Sequence, residues 1–184
     1  MYINKGKRDI LIFPKFENIN KIQELRNKYD PLANLIAPHI TIVFPFSDNI
    51  SNEELIKKLN NLLKDFKPFT IVFKGISLSK DNYIFLNCMQ GNQEIIELHN
   101  EIYKQIIPSH LNKSIKYIPH ITLGSARNIQ ELDSFDYEFK TVVDEISIEL
   151  IGEHEESIII KNIKLGGSYE QIQRNKTNSF RSCN

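Results

Sequence analysis

A five-residue sequence occurs twice in this chain, and its recurrence constrains the fold more than any other feature. The copies are Pro38-His39-Ile40-Thr41-Ile42 and Pro119-His120-Ile121-Thr122-Leu123, which agree at four positions and carry Ile or Leu at the fifth. They are separated by close to half the length of the 184-residue chain. A repeat at this spacing predicts two similar halves related by a pseudo-twofold axis.

The predicted elements follow the same order in both halves: a helix, the repeated sequence as a strand, another helix and a pair of strands. Apolar spacing predicts helices over 17–29, 93–106 and 128–135, and a further helix that opens at Ser51 as its N-cap. β-Branched and aromatic runs predict strands over 10–13, 39–44, 69–78, 82–88, 117–123, 140–151 and 157–164. We therefore expect an α+β fold of two lobes, each with an antiparallel sheet.

The domain organisation is expected to be simple. No Gly/Ser-rich linker separates the halves, so residues 1–165 are predicted to form a single bilobal domain, with the lobes intertwined around the two repeated strands. Residues 166–184 are polar and lack periodicity, which predicts a peripheral C-terminal tail.

The repeated strands carry side chains suited to phosphoryl chemistry. Because side chains alternate along a strand, His39 and Thr41 face one side and their Ile neighbours face the core, and His120 and Thr122 repeat the arrangement. Histidine titrates near neutral pH, so one imidazole can take a proton from an attacking oxygen while the other protonates a leaving oxygen. Threonine hydroxyls can hold phosphate oxygens, so no metal is required. A packing role explains these residues less well, since a buried unpaired imidazole is costly.

The paired His-x-Thr strands resemble those of the 2H phosphoesterase superfamily, which includes the RNA 2',3'-cyclic phosphodiesterases also called 2'-5' RNA ligases. The resemblance covers about residues 8–165 and is carried by the two motifs. It implies helices outside the sheets and both motifs on facing strands of a central cleft. It also implies that His39 and His120 are the acid–base pair and that Thr41 and Thr122 bind phosphate. The implied reaction opens a 2',3'-cyclic phosphate, and the same site could join a cyclic phosphate to a hydroxyl, which is the 2'-5' ligase activity of the family.

The charge balance favours a small substrate or an RNA end over an extended nucleic acid. Lys and Arg together number 23, as do Asp and Glu, whereas proteins that grip a long phosphate backbone carry a basic excess. The expected partner is thus an RNA 3' end or a small cyclic nucleotide, with no cofactor and no metal. Cys88 and Cys183 form no metal-binding pair, and no apolar run is long enough for a membrane span. We expect a cytoplasmic monomer.

Other side chains are candidate contributors to the site. Arg127 follows the second motif by a few residues and is a candidate phosphate ligand. Tyr117, Phe44 and Tyr83 are candidates to stack on a base. By strict alternation Phe44 is expected in the core unless its strand bulges, and Tyr117 is expected to face away from the catalytic side. His99 has no repeated counterpart and is expected to serve the surface or local structure.

Two alternatives remain open at this point. One is a phosphodiesterase that acts on a signalling nucleotide, and the other is a module that binds a nucleotide or RNA end without turnover. The motifs also do not distinguish which histidine is the acid and which the base.

Overall fold

A computed structural model describes residues 6–126 and 135–166, and within these ranges the chain forms eight strands and three α-helices. The strands are β1 (Arg8–Ile12), β2 (Ile40–Phe46), β3 (Phe69–Leu78), β4 (Tyr83–Gln90), β5 (His120–Ser125), β6 (Glu138–Val143), β7 (Glu145–Ile151) and β8 (Ser157–Lys164). The helices are α1 (Ile19–Tyr29), α2 (Asn52–Leu63) and α3 (Asn92–Gln105), and a 3₁₀ turn covers Pro108–His110. The Ser51 hydroxyl accepts from the Glu54 amide, which confirms the predicted cap of α2.

Two antiparallel sheets of four strands confirm the predicted α+β class. Their strand orders are β2-β1-β7-β8 and β5-β4-β3-β6. Each repeated motif therefore lies on or at the start of an edge strand, β2 in the first sheet and β5 in the second. The unit β1-α1-β2 corresponds to β4-α3-β5, since β1 pairs with β2 as β4 pairs with β5. This correspondence is the duplication that the repeated pentapeptide predicts.

The predicted strand over 140–151 is wrong as a single element. It divides at Asp144 into β6 and β7, which belong to different sheets: β6 pairs with β3, and β7 pairs with β1 and β8. At the break, the Asp144 carboxylate binds the Lys164 ammonium at 2.7 Å, and the Asp144 backbone carbonyl accepts a hydrogen bond from the Leu165 amide. The apolar pattern continues through the break because Val143 and Ile146 are both buried.

Helices α1 and α3 each pack against the motif strand of the other half. Helix α3 contacts β2, and α1 contacts β5. Gly124 makes the second contact possible: a Cβ at this position would collide with the backbone of Tyr29, and its φ of +127° favours glycine. The two halves therefore interlock and share one hydrophobic core, to which both sheets and all three helices contribute.

Both motif strands carry a β-bulge at the same place. Thr41 pairs with Leu11 and Val43 with Ile10, so Ile42 and Val43 together oppose one residue of β1. In β5, Thr122 pairs with Phe85 and Gly124 with Ile84, so the bulge again follows the motif threonine. A bulge bends its strand and re-aims the side chains beyond it.

Two predictions lie outside the described residues: the helix over 128–135, of which only residue 135 is described, and the tail beyond residue 166. Among the helices that the structure does describe, none combines the length and the apolar character required to cross a bilayer.

Candidate active site

The motif side chains alternate between the core and the open side of each strand. Ile40 and Ile42 are fully buried, as are Ile121 and Leu123. The histidines and threonines between them keep partial solvent access. The two histidines are thus anchored by buried neighbours and directed away from the core, which is the arrangement that the period of two predicts.

Each motif histidine makes the same backbone hydrogen bond. His39 Nδ1 lies 2.9 Å from the carbonyl oxygen of Ala37, and His120 Nδ1 lies 2.7 Å from that of Ile118. A carbonyl oxygen can only accept, so Nδ1 carries the hydrogen in both rings. The neutral imidazole then has its lone pair on Nε2. Both rings therefore present Nε2 as the atom that can take up or release a proton.

The structure brings the two histidines into electrostatic contact. Burial lowers the pKa of His39 from its ordinary 6.5, and a charge on His120 lowers it further. Burial likewise lowers the pKa of His120. Strands β2 and β5 also touch one another, so the motifs of the two halves meet at one place. Two neighbouring imidazoles with depressed pKa values favour a state that holds at most one proton between them near neutral pH.

A buried ion pair lies near His39. The Arg26 guanidinium is 1% exposed, contacts the Asp30 carboxylate at 2.7 Å and donates to the Ile36 carbonyl. Arg26 lowers the pKa of His39 whereas Asp30 raises it, so the pair adds little net charge to the histidine's surroundings. Its main contribution is to fix the segment between α1 and β2.

Side chains from the second half hold the exposed edge of β2. The Tyr117 hydroxyl donates to the Thr41 carbonyl at 2.8 Å, and His99 Nδ1 donates to the Ile42 carbonyl at 2.7 Å. The Tyr103 hydroxyl accepts from the Phe44 amide at 3.1 Å. We call Tyr117, His99 and Tyr103 the edge clamp. Sequence reasoning missed it, because its residues touch a strand 57 or more positions away; the one available signal was an apolar-face position on α3 occupied by a histidine.

The clamp corrects three sequence-based expectations. His99 is 4% exposed, so its assignment to the surface is wrong, although its role is structural. Tyr117 precedes β5 instead of belonging to it, so strand alternation does not govern its direction. Phe44 is 38% exposed instead of buried, because the bulge at Ile42 and Val43 reverses the alternation after the motif.

The aromatic surroundings of the two histidines differ. The Phe85 ring lies 3.8 Å from the His120 ring, centroid to centroid, with 32° between their planes. Near His39 the corresponding contact is with Phe13, at 6.1 Å and 59°. The two halves of the site therefore present the same proton-bearing nitrogen of histidine, but they differ in the aromatic rings that lie beside it.

Two sequence-based expectations concern a phosphate ligand and metal binding. Arg127 lies outside the described residues. Across residues 6–126 and 135–166, no three His, Cys, Asp or Glu side chains are grouped so that they could hold a metal ion.

Comparisons with known proteins agree with this architecture. Residues 14–149 match the family model described as the 2'-5' RNA ligase superfamily. A Bacillus licheniformis protein with a provisional phosphoesterase name is 27% identical over 122 residues, which are 64% of this chain and 70% of that protein. A Bacillus anthracis protein with the same provisional name is 29% identical over 120 residues, 64% and 69% of the two chains.

Solved structures share the fold at low sequence identity. Escherichia coli LigT in complex with 3'-AMP superposes with a TM-score of 0.62 and 19% identity, over 87% of this chain and 98% of LigT. A Thermus thermophilus protein gives a TM-score of 0.60 and 12% identity, over 89% and 100% of the two chains.

Proposed function

The chain belongs to the 2'-5' RNA ligase superfamily of 2H phosphoesterases, and on that basis we propose that it opens 2',3'-cyclic phosphates without a metal ion, using His39 and His120 as an acid–base pair. The substrate would be a cyclic-phosphate-ended RNA or a small nucleoside cyclic phosphate. The observation that carries the proposal is the matched hydrogen bond of each histidine to a backbone carbonyl two residues earlier. Because both bonds leave Nε2 available, either ring can serve as base when neutral and as acid when protonated.

The proposed reaction needs one proton on the histidine pair. The neutral imidazole takes a proton from water at Nε2 while the water oxygen bonds to phosphorus. The bond from phosphorus to one ribose oxygen breaks, and the imidazolium protonates that oxygen. The product is a phosphomonoester with a free ribose hydroxyl, and the pair ends with the same number of protons. With an RNA hydroxyl in place of water as the attacking group, the same steps would join the two RNA ends through a phosphodiester, and the bond from phosphorus to one ribose oxygen would again break.

The threonines are proposed to bind the phosphate. Thr41 and Thr122 face the same side of their strands as the histidines, and both keep partial solvent access. Hydroxyl donors there would stabilise the charge that accumulates on the non-bridging oxygens in the transition state. Arg127 is proposed as an additional phosphate ligand because it follows β5 closely in sequence.

Two further observations support a nucleotide substrate of modest size. The chain has no net charge, so it lacks the electrostatic footprint of proteins that track a long nucleic acid. The LigT structure with which it superposes holds 3'-AMP, a phosphomonoester of the class that this reaction would release.

The experiment is a product assay in the presence of chelator. The protein is incubated with the four nucleoside 2',3'-cyclic phosphates and with a cyclic-phosphate-ended oligonucleotide, each with excess EDTA, and products are separated by ion-exchange chromatography. We expect nucleoside monophosphates or a phosphomonoester end. Loss of turnover on addition of EDTA would contradict the metal-free mechanism. Tight binding of cyclic phosphates without turnover would favour a binding module, and turnover confined to other cyclic nucleotides would favour a signalling phosphodiesterase.

A further inference from the structure

Two aromatic side chains on β4 continue the line of the second motif. Phe85 pairs with Thr122 and Tyr83 with Ser125, and their neighbours Ile84 and Leu86 are fully buried. Phe85 and Tyr83 therefore face the same side of the sheet as His120 and Thr122.

These rings form a continuous aromatic surface. The planes of Tyr83 and Phe85 lie within 4° of each other, with centroids 6.5 Å apart, and Phe85 in turn lies 3.8 Å from His120. Tyr83 is 50% exposed, which leaves a large apolar area open to solvent beside the motif. A hydrogen-bonding or packing role in the core does not account for such exposure.

We propose that Tyr83 and Phe85 form a stacking platform for the nucleobase of the substrate. The second half of the molecule would thereby set the orientation in which the nucleotide binds. This inference rests on the proposed function, since it places the phosphate beside His120 and Thr122. A base attached through ribose to that phosphate lies one sugar away from it, and the platform leads away from the motif in the same way, from Phe85 beside His120 to Tyr83 a further 6.5 Å on. Aromatic stacking accepts any base, so the platform recognises a nucleoside without fixing its identity.

The corresponding positions in the first half offer no equivalent surface. Leu11 pairs with Thr41 as Phe85 pairs with Thr122, and Asp9 precedes Leu11 as Tyr83 precedes Phe85. Leu11 is fully buried and Asp9 is 6% exposed. The pseudo-twofold axis therefore relates the accessible pair of rings beside the second motif to buried aliphatic and acidic side chains beside the first, where Phe13 lies 6.1 Å from the His39 ring.

Phe44 is the rival aromatic on the first half. It is 38% exposed, but its ring meets both His99 and Tyr117 edge to face, with 81° between the planes in each case. Those contacts tie Phe44 to the edge clamp, whereas Tyr83, among the residues that the structure describes, makes its ring contact with Phe85 alone.

The test compares substrates with and without a base. Adenosine 2',3'-cyclic phosphate and glycerol 1,2-cyclic phosphate share the reacting ring, and only the first carries a nucleobase. Kinetics are measured for wild type, Tyr83→Leu, Phe44→Leu and Tyr137→Leu. Tyr137 is a matched control, since it is 41% exposed and precedes β6 at the opposite edge of the sheet. We expect Tyr83→Leu to reduce the ratio of kcat/KM for the two substrates about tenfold, and Tyr137→Leu to leave it unchanged.

The outcomes separate this inference from the proposed function. A ratio for Tyr83→Leu within about twofold of wild type, or a loss found only in Phe44→Leu, would overturn the platform while leaving the reaction intact. If wild type turns over neither substrate, the proposed function fails, and the platform is judged from calorimetric binding of 3'-AMP against inorganic phosphate. It then survives only if Tyr83→Leu weakens binding of 3'-AMP about tenfold more than binding of phosphate.

Discussion

The imidazole of His99 lies parallel to the ring of Tyr117, with centroids 3.8 Å apart and planes within 4° of each other. The two side chains bind consecutive carbonyl groups of the first motif strand, those of Ile42 and Thr41 respectively. His99 belongs to α3 and Tyr117 precedes β5, so the second half of the chain fixes the backbone on which His39 and Thr41 are mounted. The stacked rings of His99 and Tyr117 thus connect the first motif strand to the residues that precede the second motif.

Removing one hydroxyl from this link should impair turnover more than stability. Tyr117→Phe keeps the ring stacked on His99 and loses only the hydrogen bond to Thr41, which is worth about 1 kcal/mol. Because Thr41 is proposed to bind the transition state, we expect kcat to fall about tenfold while KM changes little. Steady-state kinetics with a nucleoside 2',3'-cyclic phosphate and a thermal unfolding curve measure the two effects.

Tyr137→Phe is the control for loss of a tyrosine hydroxyl away from the site. A Tyr117→Phe enzyme with wild-type kcat, or one whose kcat loss is explained by a lower folded fraction at the assay temperature, would show that the clamp does not position Thr41.

The pH dependence of kcat/KM should have its maximum below about pH 6.5. Burial lowers the pKa of both His39 and His120 from the ordinary 6.5, and the pair must hold one proton to react. As pH rises through the higher macroscopic pKa of the pair that proton is lost, so kcat/KM should fall about tenfold per pH unit above it. Rates between about pH 4.5 and 8.5, with folding checked at each pH, test this; a maximum above about pH 7.5 would contradict it.

Asp9 is expected to make the protein less stable as the pH rises from the ordinary pKa of the carboxyl toward its raised pKa in the folded state. Burial, together with Glu149 directly opposite on β7, raises the pKa of Asp9 from 3.8 to about 8, and its Oδ1 is buried without a hydrogen-bond partner. Between these two pKa values the folded state holds a proton that the unfolded state has lost, so the free energy of unfolding declines with rising pH across that window.

Asp9→Asn should remove this decline and raise the free energy of unfolding at about pH 9 by on the order of 1 kcal/mol or more. Urea unfolding at about pH 6 and about pH 9 measures the difference between variant and wild type, which cancels the opposite contribution of the buried histidines. The exposed Asp81→Asn is the control. An Asp9→Asn protein with the same loss between the two pH values as wild type would refute the assignment.

Substitutions at two glycines distinguish the cost of a strained backbone from the cost of a steric collision. Gly75 and Gly124 both have positive φ, at +74° and +127°. A Cβ at Gly75 would lie 3.9 Å from Asn87 Nδ2, whereas one at Gly124 would overlap the Tyr29 backbone. We expect Gly75→Ala to cost about 1 kcal/mol of unfolding free energy and Gly124→Ala at least about 2 kcal/mol, since α1 would have to move off β5. If urea unfolding shows equal losses of unfolding free energy in the two variants, the close contact of α1 with β5 does not restrict the side chain at Gly124.

The sequence was sufficient to predict features that repeat or alternate locally. The duplicated pentapeptide predicted two related halves, and the period of two predicted that Ile40 and Ile121 would be buried beneath their histidines. Both predictions follow from geometry within a few residues. The burial of every core position in the two motifs confirms the second prediction, and the matching units β1-α1-β2 and β4-α3-β5 confirm the first.

Features that depend on distant contacts could not be predicted in this way. The bulge at Ile42 and Val43 is a feature of the pairing of β2 with β1, and after it Phe44 is exposed instead of buried. The break at Asp144 could not be predicted from the apolar pattern, because the residues on both sides of it are buried. They are buried in two different sheets, which the pattern does not distinguish. The contact of His99 with β2 could not be predicted, because a histidine on an apolar helix face does not identify the carbonyl that it binds.

The most direct test of the central claim is a double-mutant cycle on the histidines. His39→Ala, His120→Ala and the combined variant are assayed for kcat on a nucleoside 2',3'-cyclic phosphate with EDTA present, after circular dichroism shows that each is folded. Because the two rings are proposed to act together in one reaction step, as base and as acid, each single change should reduce kcat at least about 100-fold. The double variant should then be little less active than the less active of the two single variants. Full turnover in either single variant, or losses that multiply in the double variant, would contradict the account.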